Sequence, residues 1–111
     1  MYLLFDIGGT NMRLAVSRDG KELGKLKTAS TPQDFNEGLQ VFQEIANELT
    51  QGEKIEVAVG GIAGPMDNEK TMVLTAPNIV GWNGKPLKNK LEGMFSSPVY
   101  LENDAALAGL G

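Results

Sequence analysis

A chain of 111 residues without a cysteine or a histidine is sized for one domain and excludes disulfides, thiolate metal sites and imidazole bases within itself. Fourteen acidic side chains against ten basic ones leave a net charge of −4, which offers no footprint for nucleic acid and no attraction to an anionic membrane. At 41% hydrophobic and 22% charged residues the composition is that of a cored domain, and no apolar run nears the ~18 residues of a membrane span.

Met1 leads almost directly into a strand bearing Asp6, unlike a secretory signal, and a cytoplasmic location is expected. The strand is "YLLFDI" (2–7). A four-residue connection, Gly8 to Asn11, returns the chain into a second strand, "MRLAVS" (12–17). Asp19-Gly20 is a hairpin signal, and the more polar "KELGKLKTA" (21–29) completes an antiparallel meander of three strands. Thr31 and Pro32 then read as the cap and first position of a helix, with Asp34 at capping-box spacing. Its apolar stripe, Phe35, Leu39, Phe42, Ile45, Ala46 and Leu49, is core packing and ends near Gln51-Gly52.

"IEVAVGG" (55–61) is a buried strand that the preceding helix lets run parallel to the first. A loop (61–70), a short strand "TMVLT" (71–75) and an irregular stretch "APNIVGWNGK" (76–85) follow. Pro86 opens a second helix with Leu87, Leu91, Met94 and Phe95 on one face. "SPVYLEN" (97–103) is a last strand, and "DAALAGLG" (104–111) starts a third helix on whose apolar residues the sequence stops. The order of elements is that of an α/β domain with a mixed sheet.

Three loops carry residues with chemistry. In "DIGGTN", Asp6 at a strand end can hold a divalent cation directly or through water, and the glycines let backbone N–H groups face an anion. The same Gly-Gly is also an ordinary hairpin turn. In "GGIAGP" (60–65), glycines 60, 61 and 64 allow a polar ligand close to the backbone, or simply turn the chain before Pro65. In "ENDAALAG" (102–109), Asn103 or Asp104 is an N-cap or a reactive pair at the sheet edge where open α/β sheets bind ligands. Without histidine, Asp104 is the best-placed base. All three loops follow strands able to run parallel, so they converge on one rim, as a site moving phosphate to a hydroxyl requires.

"DIGGTNMRLAVS", "GGIAGPMD", "APNIVGWNGKPL" and "VYLENDAALAGLG", in that order, resemble the ROK (repressor, ORF, kinase) family, and its bacterial glucokinases most. The resemblance covers residues 1–111, but only the N-terminal lobe of a family member. It implies an RNase H-like (actin-like ATPase) α/β lobe: a mixed sheet with a three-strand antiparallel meander and flanking helices, ending within its last helix. The partner is the C-terminal lobe of the same protein, and ATP and a hexose, glucose above all, bind in the cleft between. Asp6, Gly8, Gly9, Thr10 and Asn11 would form the phosphate loop, with Asp6 near Mg2+ through water. Gly64, Pro65, Asn78 and Asn103 would contact the sugar, as would Asp104, the catalytic base. Near a helix start Asp104 tends to stay ionised, whereas a dry closed cleft makes it a stronger base.

The family's zinc-binding cysteines and histidine, its sugar-contacting glutamates and its adenosine pocket belong to the second lobe and are absent here; with half the cleft absent, the isolated chain is expected to be inactive. Two other readings compete. One is the sugar-binding lobe of a ROK transcriptional regulator, which the lack of a basic winged helix before Tyr2 disfavours. The other is a self-associating half-domain that forms a homodimer through apolar surface left uncovered.

Overall fold

Alternation of apolar residues sets the sheet. The computed structural model describes residues 1–8, 10–19, 22–62, 82 and 85–102. Tyr2–Ile7 (β1) and Asn11–Ser17 (β2) pair antiparallel from Ile7 opposite Met12 to Tyr2 opposite Ser17. Period-two spacing sends Leu3, Phe5, Ile7, Met12, Leu14 and Val16 into one buried cluster, and Leu4 and Ala15 into a second. Leu26–Ser30 (β3) pairs with β2 to complete the meander. It starts later than the 21–29 expected. The Asp19 carboxylate accepts the Glu22 N–H at 3.0 Å, and that side-chain turn delays the regular ladder. Val16 still bonds Gly24 and Lys25 through its backbone.

Phe35–Thr50 (α1) starts three residues after Pro32, where the sequence placed the first helical position. The cap is Asp34, whose carboxylate accepts the Glu37 N–H at 2.9 Å. Thr31 and Pro32 are otherwise engaged: the Thr31 N–H donates to the Thr10 carbonyl, and the Pro32 carbonyl accepts from the Trp82 indole. At the far end Gln51 turns left-handed, φ 54°, and its N–H returns to the Asn47 carbonyl.

Val57–Ile62 (β4) lies parallel to β1, and Val99–Glu102 (β5) parallel to β4, in the sheet order β3-β2-β1-β4-β5. Both are shorter at the N-terminal end than expected, because Glu56 bonds back to the Met1 carbonyl and the Ser97 hydroxyl donates to the Ile55 carbonyl. Leu87–Phe95 (α2) precedes β5, with Pro86 as the cap instead of the first turn. Both helices bury their stripes against the same sheet face. The Phe5 ring meets Phe42 edge-on at 5.0 Å, and Phe42 in turn meets Phe95 at 6.0 Å. Gly60 permits this packing, since a Cβ there would stand 2.1 Å from the Phe5 ring. The sequence offered Gly60 as an approach for a polar ligand; the group that approaches is the aromatic ring.

The expected strand 71–75, the third helix 104–111 and most of 61–85 lie outside the described residues. Among the described residues no helix is long and apolar enough to cross a membrane.

Candidate phosphate-binding edge

Because β1, β4 and β5 run the same way, their C-terminal ends, at Ile7, Ile62 and Glu102, meet at one edge of the sheet. Register places Arg13, Asp6, Gly61 and Glu102 in one row across β2, β1, β4 and β5. The convergence of these strand ends, inferred from strand direction, is therefore present.

Asp6 occupies the last rung but one of β1. Its side chain is only 14% exposed, and Oδ2 accepts Arg13 Nη2 at 2.9 Å. Oδ1 is buried and has no hydrogen-bond partner among the described residues. An ionised carboxylate is acceptor-only with about four lone-pair sites, and a buried oxygen left bare costs free energy. Such an oxygen at the ligand-binding edge of an α/β sheet suits a hydrated hard cation, which accepts oxygen donors and keeps several waters.

The adjoining turn is fixed at both ends. The Gly8 N–H donates to the Asn11 carbonyl at 2.9 Å, and the Thr10 carbonyl accepts from Thr31 N–H at 2.9 Å. A Cβ on Gly8 would press on the Asn11 carbonyl oxygen at 3.1 Å, so this glycine serves the turn, and its own N–H is spent there. The side chains of Thr10 and Asn11 remain exposed. Thr31, clamped to the loop, is buried with its hydroxyl also unpartnered among the described residues.

Trp82 packs against the start of α1. Its ring is fully buried, stacks edge-on with Phe35 at 5.2 Å, and its Nε1–H donates to the Pro32 carbonyl at 2.8 Å. Gly9, Gly64, Pro65, Asn78, Asn103 and Asp104 lie outside the described residues. Sequence reasoning passed over Arg13. Hairpin register exposes it, since a chain that pairs Ile7 with Met12 must pair Asp6 with residue 13. A hollow of about 470 Å³ lined by Met1, Val16, Lys25, Leu49 and Glu53 opens elsewhere, near the start of β1. That is about 17 Å along the strand from Asp6, and it takes no part in this edge.

The strand order, the mixed directions and the acidic end of β1 define an RNase H-like lobe of the actin-like ATPase class. The ROK family profile matches residues 2–111, and the chain belongs to the ROK family. It is 36% identical over 107 residues to the N-acetyl-D-glucosamine kinase of Escherichia coli K12, a match spanning 95% of this chain and 35% of that protein. Among solved structures it is similar to a ROK family glucokinase from Streptomyces griseus in complex with glucose and AMPPNP, at TM-score 0.82 and 30% identity, over 97% of this chain and 34% of that one. It is likewise similar to a ROK hexokinase from Thermus thermophilus, at TM-score 0.79 and 30% identity, over 91% and 34% of the two chains. The chain thus spans 34–35% of the length of these relatives.

Proposed function

We propose that residues 1–111 are the N-terminal lobe of a two-lobed cytoplasmic sugar kinase, which transfers the γ-phosphate of ATP to a hydroxyl of a gluco-configured hexose. The observation that carries this reading is the buried Oδ1 of Asp6, without a hydrogen-bond partner among the described residues, beside a clamped glycine turn at the edge where three parallel strands end. Kinship with an N-acetyl-D-glucosamine kinase and a glucokinase supports the substrate class.

In this reading Thr10 and Asn11, with the Gly9 backbone, face the phosphates, while Gly8 makes the turn possible. Asp6 Oδ1 would hold a water of Mg2+, which, when bound, neutralises charge shared between the β- and γ-phosphates. Gly64 and Pro65, just past β4, and Asn78, Asn103 and Asp104 would receive the sugar. The Asp104 carboxylate takes the proton from the sugar hydroxyl as its oxygen bonds to the γ-phosphorus, and the bond to the β-phosphate oxygen breaks to release ADP. Catalysis of this kind is mostly positioning and charge stabilisation. That is why a rigid sheet edge and a pinned loop suit it.

The test is ADP release by the two-lobed protein with glucose, N-acetylglucosamine and mannose offered separately. One gluco-configured sugar should saturate the rate, and Asp104→Ala should lower kcat by about 10²–10⁴-fold. Residues 1–111 alone should release no hexose-dependent ADP. Near-normal turnover by the variant would remove Asp104 as base, and robust activity of the isolated chain would contradict its being half a cleft. Tight, steeply salt-dependent binding of duplex DNA, with no kinase activity, would replace the kinase with a regulator.

A further inference from the structure

The Asp6–Arg13 contact is lopsided. Arginine readily grips a carboxylate with two parallel N–H bonds, yet here one Nη2–H goes to Oδ2 at 2.9 Å, and Oδ1 stays buried and unclaimed among the described residues. The two residues also differ in exposure: the Asp6 side chain is 14% exposed and that of Arg13 49%. The acid is therefore held inside the sheet edge while the base lies over it from the solvent side. Arg13 stands one rung from the Ile7–Met12 pair on the strand that leaves the Gly8–Thr10 turn. The ion pair consequently ties the incoming and outgoing limbs of that turn together.

The geometry points to Arg13 as a positioning residue of the phosphate loop: by holding Oδ2 it fixes the rotation of the Asp6 carboxylate, so that Oδ1 alone is presented to the hydrated cation accompanying the nucleotide. This rests on reading Asp6 as the cation-facing group. Partners that orient a ligating carboxylate are worth about 10–100-fold in metal affinity or activity. Arginine suits the task better than lysine because its planar fork keeps the N–H direction fixed, whereas an ammonium turns freely about a flexible stem.

The experiment is Mn2+ binding in the presence of AMPPNP, followed by electron paramagnetic resonance on the two-lobed protein. Wild type is compared with Arg13→Met, Arg13→Lys and Asp6→Asn, together with KM for ATP and for the hexose. Arg13→Met should weaken Mn2+–AMPPNP binding about 10-fold or more and raise KM for ATP, with KM for the hexose within about twofold. Arg13→Lys should recover part of the loss, and it serves as the reporter if the methionine variant does not fold. Asp6→Asn should lose at least as much as Arg13→Met. If Asp6→Asn weakens binding while both Arg13 variants match wild type, the positioning role is overturned and the phosphate loop stands. An equal rise in both KM values on Arg13→Met would assign Arg13 a merely structural role and also overturn it. Unchanged binding in Asp6→Asn would overturn the phosphate-loop reading beneath the proposal.

Discussion

Gly38→Ala ought to stabilise a helix, and here it should do the reverse. Alanine in a helix interior gains about 1 kcal/mol over glycine. Gly38, however, lies under the Trp82 ring: a Cβ there would stand 2.2 Å from Cζ2, 2.9 Å from Cη2 and 3.1 Å from Cε2. Contact carbons sit about 3.5–4.0 Å apart, so the indole must retreat by more than an ångström. It is fully buried, wedged edge-on against Phe35 and tied to the Pro32 carbonyl at 2.8 Å. Overpacking costs about 1–3 kcal/mol, and losing the partner of a buried indole N–H about 1–3 kcal/mol. Set against the propensity gain, the net is a destabilisation of about 3 kcal/mol. For a chain of this length that lowers Tm by more than about 10 °C. Trp82 is the only tryptophan in the sequence, so its emission during thermal and urea unfolding reads the site directly. The variant should melt earlier and emit to the red in its native state. Equal or greater stability with unchanged emission would show that the ring is not seated on α1 as described.

Gly60→Ala should be worse, because its Cβ would fall 2.1–2.3 Å from three ring carbons of Phe5, a fully buried residue of the central strand; urea unfolding should show a loss of at least about 2 kcal/mol. Asp34→Ala removes the cap on the Glu37 N–H and should cost about 1 kcal/mol by the same measurement, with little change for Thr31→Ala if Asp34 is the true cap. At the exposed Arg18–Glu53 pair, two arginine N–H bonds and then its charge hold the Glu53 carboxyl below its ordinary value. A lowered carboxyl pKa supports the fold above the unfolded-state value and withdraws that support as pH falls through the folded-state value. Glu53→Gln should accordingly flatten stability against pH over about pH 5 to 3, and the difference should vanish in 1 M salt, as suits a solvated ion pair.

Much of the fold was legible because short-range chemistry settled it. Turn residues spaced the three-strand meander, and α1 between β3 and β4 left β4 free to lie parallel to β1. Element starts were less legible where distant partners intervene. Pro32 looks like a first helical residue until Trp82, fifty positions on, takes its carbonyl. Gly60 looks like a ligand-facing glycine until the Phe5 ring fills the space across the β1–β4 pair. At the sheet edge, the strand end at Asp6 and its glycine turn were readable from six residues, but the backbone groups that the turn itself uses were not. Gly8 spends its N–H on the Asn11 carbonyl, a choice set by the geometry of the turn and invisible in the letters. Arg13 reaches Asp6 only through the hairpin register, seven positions away in the letters, so its part becomes visible once Ile7 is paired with Met12.

The central claim is that Asp6 faces the cation of a bound nucleotide at the end of β1. A crystal structure of the two-lobed protein with Mn2+, AMPPNP and glucose, with the metal located by its anomalous scattering, measures this directly. One manganese peak is expected, separated from Asp6 Oδ1 by a single coordinated water, with the triphosphate along residues 8–11 and Oδ2 still on Arg13. Manganese and triphosphate bound away from Asp6, with Oδ1 satisfied by protein groups, would contradict it.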